Sequence, residues 1–155
     1  MTYLIISIVI LIIFSAFFSA TETAFSTYNK IKMKNEASSG NKRAQTVLYL
    51  SEDYDRLLST ILIGNNIVNI ASTTLSTILF TQLFGGAKGP TLSTVVMTVL
   101  VLIFGEISPK SIAKDMPESF AMAVAPFLKI IYIILKPLNS LFTLWKKLLT
   151  KIIKI

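Results

Sequence analysis

Three long apolar runs divide the chain, and each carries polar residues toward one end. The first, residues 3–27, holds no charge before Glu22. As a helix, Tyr3 to Phe25 rises about 34 Å, enough to cross a hydrocarbon core of about 30 Å with some tilt. Ser15, Ser19, Glu22, Thr23 and Ser26 recur in it at spacings of three and four, which places them on one face. The second run, residues 57–83, is rich in hydroxyls and amides, and Asn66, Asn69, Thr73 and Ser76 follow helical spacing. A face this polar requires other helices or a wet cavity. The third run, residues 91–108, ends in Ile103-Phe104-Gly105-Glu106-Ile107-Ser108-Pro109-Lys110. The pattern predicts an all-α membrane protein with three transmembrane helices.

The remaining segments read as a juxtamembrane belt of amphipathic helices. Residues 28–56 mix lysines with apolar positions and break at Ser38-Ser39-Gly40-Asn41, so two short interfacial helices joined at Gly40 are expected. Residues 116–155 form a second interfacial region. Its first part, 119–135, is apolar but contains Pro126 and Lys129, and a bent segment that stays on the inner side is expected there. Its second part, 138–155, carries Leu141, Phe142, Trp145, Leu148 and Ile152 on one stripe and Lys146, Lys147, Lys151 and Lys154 on the other. That is a basic amphipathic helix suited to the inner leaflet.

Composition sharpens this picture. The mean hydropathy is +0.69 and only 15% of residues are charged, against about 25% in soluble domains. The net charge of +7 and pI of 9.7 would suggest nucleic acid in a soluble protein. Beside membrane segments, they suit anionic lipid, so the bilayer is the expected partner and nucleic acid is not. Six basic residues lie between the first and second runs, one between the second and third, and eight after Ser108, accounting for all 15. The positive-inside rule then puts the N-terminus outside a cell membrane and the C-terminal region in the cytoplasm. The amphipathic pattern stops in mid-helix at Ile155, as in a chain cut from a longer one.

The chain has no cysteine and no histidine. Thiolate and imidazole metal sites and Ser-His-Asp or Cys-His catalysis are therefore excluded. No hydrolytic machinery is visible, and the chain is not expected to be an enzyme. Glu106 stands out instead, because a carboxylate at membrane depth costs roughly 2.5–3.5 kcal/mol and calls for a partner or an ion. Pro109 removes a backbone donor and opens the preceding turn, which frees carbonyl oxygens near Gly105. Counting along the helices, Ser19, Glu106 and Asn66 lie roughly 24, 22 and 16 Å from the outer boundary, close enough to meet. Hydroxyl, amide, carboxylate and carbonyl oxygens are hard ligands that suit Mg²⁺, Ca²⁺ or Na⁺. Glu22 could add a second charge, and Thr23 shares its face. Against this stand ordinary roles: pairing of Glu22 with Lys30, pairing of Glu106 with Lys110, and asparagines as interhelical glue.

Four stretches carry a resemblance. Phe18-Ser19-Ala20-Thr21-Glu22-Thr23-Ala24, Gly40-Asn41-Lys42-Arg43-Ala44, Asp55 through Asn66, and Gly105-Glu106-Ile107-Ser108-Pro109-Lys110 are similar to the S-A-x-E-T-A, G-N-x-R-A, D-R-L-L-S-T-I-L-I-G-N-N and G-E-I-x-P-K motifs of the CorC/cyclin-M group of magnesium exporters. The resemblance covers the transmembrane domain of that group. It implies a homodimer, Mg²⁺ export by alternating access driven by Na⁺ entry, and cytosolic paired CBS domains that lie outside these 155 residues. Carried over, it points to Ser19, Asn66, Gly105 through its carbonyl, and Glu106 as ligands, with Ser15, Ser59 and Asn69 as further ion-path positions. Two other readings of the residues remain: an ion-sensing membrane scaffold for a cytosolic partner, and a passive cation channel.

Overall fold

The computed structural model describes residues 1–154, and among them there is no strand. Ile155, the last residue of the predicted interfacial region, lies outside the described residues. Helix α1 spans Thr2–Thr27, α2 Lys30–Ser38 and α3 Lys42–Ser51. Helix α4 spans Tyr54–Phe84 and α5 Gly89–Leu100. A π-helical turn over Val101–Ile107 joins α5 to α6, Ser108–Asp115. Helices α7, Pro117–Ile134, and α8, Lys136–Ile153, complete the chain.

Short-range chemistry sets the boundaries near the charged region. The Asn29 side chain accepts from the amides of Ile31 at 2.9 Å and Lys32 at 3.2 Å, which caps α2. Asn41 caps α3 in the same way, accepting from Arg43 and Ala44. Between them Gly40 takes φ +96°, a left-handed conformation that ends α2 at low cost only for glycine. The two short helices expected around Gly40 are therefore present. Asp53 caps α4 through the Arg56 amide at 3.2 Å.

The three expected spans are present and longer than predicted. Helix α4 has 31 residues, about 46 Å of rise, so it extends past a hydrocarbon core. The third rod does not end at Ser108 but continues to Asp115 through the π turn. Within that turn the Ser108 amide donates to the Ile103 carbonyl, an i→i+5 bond. Pro109 has no N–H to offer the Gly105 carbonyl four residues back, and the widened turn immediately precedes it.

A correction concerns residues 119–135. Helix α7 is continuous through Pro126 and not broken there, and it has the length and mean hydropathy, 1.5, of a fourth candidate span. Its neighbours are surface helices, however. Glu118 lies 4.0 Å from the Lys32 ammonium, Met122 Sδ accepts from Asn41 Nδ2 at 3.5 Å, and the Lys129 ammonium stands 5.3 Å over the Tyr49 ring. Helices α2 and α3 carry five basic residues between them, Lys30, Lys32, Lys34, Lys42 and Arg43, too many to enter hydrocarbon. The opposite side of α7 meets α1, with the rings of Phe17 and Phe127 5.2 Å apart, edge to face.

The main core lies where these layers join. Ala20 and Ala24 of α1, Ala44 of α3, Ala113 of α6, and Ala121 and Ala125 of α7 are all buried in it. Small side chains let helix backbones approach closely. At the other end of the spans, Ile8, Leu79 and Met97 form a second apolar cluster. The α4–α5 hairpin is tight there: Gly89 packs so closely that a Cβ would lie 2.6 Å from Thr81 Cα, and Ser76 and Ser93 share a buried 2.7 Å hydrogen bond.

Candidate cation site

Three helical elements converge on Ser15. The residue is 1% exposed in the middle of α1. Its hydroxyl lies 2.9 Å from Asn69 Oδ1 and 3.2 Å from Asn65 Oδ1, both on α4. The same oxygen lies 3.0 Å from the point a Cβ would occupy on Gly105, in the π turn. One side chain thus touches all three long rods.

The sequence brings these atoms together by identifiable means. Asn65 and Asn69 are four apart and share a face of α4. Gly64 lets α1 approach that face, since a Cβ there would lie 2.5 Å from the Phe18 ring. Gly105 does the same for the third rod, because its missing side chain leaves room for the Ser15 hydroxyl.

The proton count at this junction is informative. A serine hydroxyl has one hydrogen to donate. Two amide oxygens face it, so one of them is left without that donor. One turn along α1, Ser19 Oγ is buried with no hydrogen-bond partner. Buried polar atoms without partners are uncommon in native structures. The junction therefore gathers neutral oxygens with unused lone pairs, the donor set hard cations prefer. Glu106 follows Gly105 in the chain and is half-buried. Among the described residues the two salt bridges are Lys32–Glu118 and Lys146–Asp55, so neither Glu106 with Lys110 nor Glu22 with Lys30 is paired. No three acidic side chains cluster among the described residues.

The placement of the predicted residues divides them. Ser15, Asn69 and Gly105 meet directly, and Ser19 lies one turn away. Asn66 is turned to the exposed side of α4, and Asn65 takes the position beside Ser15 instead. Asn65 and Asn66 stand four and three residues before Asn69, and both spacings share a helical face, so the sequence pattern did not separate them. Glu22 and Thr23 are half-buried on the next turns of α1. Ser59 lies apart, lining a cleft of about 210 Å³ with Asp53, Asp55, Arg56 and Lys146.

Comparison with known proteins places this architecture. The family model for the cyclin M transmembrane N-terminal domain matches residues 6–155. The UPF0053 inner membrane protein YfjD of Escherichia coli is 38% identical over 141 residues, covering 91% of this chain and 33% of that protein. A chloroplastic DUF21 domain-containing protein of Arabidopsis thaliana is 38% identical over 131 residues, covering 83% of this chain and 19% of that protein. A protein of Haemophilus influenzae named a polyamine export protein is 31% identical over 150 residues, covering 89% of this chain and 35% of that protein. The chain spans about a third of the length of the bacterial relatives it matches. An all-α, multi-pass architecture, a match across nearly the whole chain and these relatives agree: the chain belongs to the cyclin M transmembrane-domain family.

Proposed function

We propose that this chain is the membrane-embedded transport domain of a Mg²⁺ exporter, coupled to Na⁺ entry and working by alternating access. The observation that carries the reading is the Ser15 junction, where two amide oxygens, a hydroxyl and the Gly105 backbone meet between three rods. Neutral oxygens with one nearby carboxylate bind a divalent ion reversibly, because a single charge only partly neutralises it. The ligands of the proposed site come from separate helices, so sliding one rod against another changes the coordination, as alternating access requires. Ser19 and Glu106 complete the ligand set in this reading, with Glu22 and Thr23 leading away from it.

Three features of the wider assembly belong to the same proposal. The exposed face of α4 presents Asn66, Thr73 and Thr74, which suits a second copy of the chain better than lipid. A homodimer is the arrangement proposed. The contacts of α7 with the charged helices α2 and α3 favour three crossings, with the N-terminus outside and α2, α3, α7 and α8 on the cytoplasmic side. Paired CBS domains, which the resemblance to this group implies as a partner, would lie on the same cytoplasmic side as α8.

The relative named a polyamine export protein supplies a second reading, in which the cargo is an organic polycation. The close oxygen geometry at Ser15 favours a small bare ion over an extended amine. Purified protein in liposomes loaded with a Mg²⁺ dye distinguishes the readings. The expected result is Mg²⁺ flux that requires an opposing Na⁺ gradient and is indifferent to spermidine. Flux of spermidine without Mg²⁺ flux would replace the proposal. Flux of Mg²⁺ regardless of Na⁺ would make the protein a channel, and no flux of either would leave an ion-sensing scaffold.

A further inference from the structure

Helix α8 is fixed to the rest of the protein by one buried polar anchor. Asn139 is 2% exposed, and its amide Nδ2 donates to Thr60 Oγ1 near the start of α4. The Thr60 hydroxyl in turn donates to the Arg56 carbonyl at 2.9 Å. Two turns further along, the Lys146 ammonium lies 3.8 Å from an Asp55 carboxylate oxygen. Asn139 and Lys146 are seven residues apart and so share the face turned toward α4.

The other face has nothing on it. Leu144, Trp145, Leu148 and Ile152 are 65%, 55%, 48% and 60% exposed. Leu144, Trp145 and Leu148 form part of a shallow apolar groove flanked by Lys147 and Lys151. An exposed apolar stripe of this extent marks a contact surface. Its charge says with what: residues 136–154 contain five lysines and no acidic residue. A second copy of α8 would meet it with like charge. An anionic leaflet complements it, and lysine stems can lie along the lipid surface with their ammonium groups among phosphates. The anchor also leaves α8 rooted at the charged end of α4, close to Asp55 and Arg56.

We propose that α8 is a docking helix for an anionic membrane leaflet, rooted by the Asn139–Thr60 bond so that its seating on the leaflet is passed to the start of α4. When α8 seats its apolar face on lipid, the bond at Asn139 and the Lys146–Asp55 contact on the opposite face hold the helix root against α4. The inference goes beyond cation transport and concerns what sets the position of α4.

Trp145 is the single tryptophan of the chain, so its fluorescence reports on α8 alone. The full chain is placed in nanodiscs of phosphatidylcholine, with or without phosphatidylglycerol. With phosphatidylglycerol, Trp145 emission should shift to the blue, be quenched by lipids brominated in their acyl chains, and be shielded from acrylamide. Added salt should reverse this. Changing Lys146, Lys147, Lys151 and Lys154 to glutamine should weaken the phosphatidylglycerol-dependent component by roughly fivefold per lysine. Amide exchange at residues 54–64 should slow with phosphatidylglycerol in the natural chain. It should not slow in Asn139→Ala or in Thr60→Val, which remove the anchor from opposite sides while leaving Trp145 docked. Equal shielding of Trp145 in both lipids without quenching by brominated chains would mean that protein covers the stripe, and would overturn the proposal. So would acrylamide access in both lipids. Unchanged exchange in the anchor variants would remove the link to α4. None of these readings involves ion flux, so they fail or succeed separately from the transport function.

Discussion

The Ser15 hydroxyl donates to Asn69 Oδ1 at 2.9 Å, which joins α1 to α4 at the point where Gly105 brings in the third rod. Ser15 donates to one of the two amide oxygens that face it, whereas Ser19, one turn away, has no partner at all. The two serines should therefore respond differently to the same substitution. Ser15→Ala leaves the half-buried Asn69 oxygen without its donor and should cost about 1–3 kcal/mol of stability without any ion. Ser19→Ala removes an unsatisfied hydroxyl and should be neutral or slightly stabilising without Mg²⁺. Both should lose part of the stabilisation that Mg²⁺ confers by mass action. Thermal melts in detergent with and without Mg²⁺ measure both effects. A Ser19→Ala protein that melts later and still gains fully from Mg²⁺ would take Ser19 out of the ligand set.

The two adjacent asparagines give a second contrast. Asn65 faces Ser15, and Asn66 faces outward from the chain. Asn65→Ala should reduce the Mg²⁺-dependent shift in melting temperature and leave the proposed dimer intact. Asn66→Ala should act mainly on self-association, seen as a change in mass by light scattering in detergent. The reverse pattern would mean that the dimer rotates α4 and restores Asn66 to the ion path.

How much of this was legible in the chain depends on which interaction set each feature. The caps at Asn29 and Asn41 and the break at Gly40 are local, and local chemistry is written in neighbouring residues. The spans were legible because lipid imposes a length on apolar runs. Which of Asn65 and Asn66 faces Ser15 was not, since it depends on the rotation of α4, and that is set by the packing of Gly64 against Phe18, which is distant in the sequence. Depth counting put Ser19 and Asn66 level with Glu106. It could not resolve one helical turn, and the turn is what separates Ser15 from Ser19. The continuity of α7 through Pro126 was also hidden, because a proline's effect depends on neighbours that satisfy the freed carbonyl.

Gly64 should be the least replaceable residue of the α1–α4 contact. A Cβ there meets the Phe18 ring at 2.5 Å, and the ring is 5% exposed with little room to move. Gly64→Ala should destabilise by about 1–3 kcal/mol, the usual range for overpacking. Phe18→Leu on the same chain should recover part of that loss, and a double-mutant cycle by denaturant melts reads the coupling. Additive effects would show that α1 shifts as a body to admit the methyl.

Topology can be tested directly because the chain has no cysteine. Single substitutions Thr2→Cys, Lys88→Cys and Lys154→Cys mark the N-terminus, the α4–α5 turn and the end of α8. An impermeant thiol reagent outside whole cells should label the first two only. External labelling at position 154 would mean that α7, with its 18 residues, crosses the bilayer after all.

The carboxylate of Glu106 separates an ion site from a structural charge. Glu106 follows Gly105 in the chain, is half-buried, and forms no salt bridge with Lys110 among the described residues. If it is a ligand, Glu106→Gln keeps the size and most of the packing but removes the charge. Mg²⁺ should then no longer raise the melting temperature, and transport should stop, while the dimer survives in detergent. Asn65→Ala should be milder, because a neutral oxygen contributes less to a divalent ion than a carboxylate does. Lys110→Gln serves as the control: it should melt normally and keep its response to Mg²⁺. If Glu106 served only to hold Lys110, the two substitutions would behave alike and both proteins would still gain from Mg²⁺. That outcome would leave the Ser15 junction as a polar contact between helices and move the ion path elsewhere in the fold.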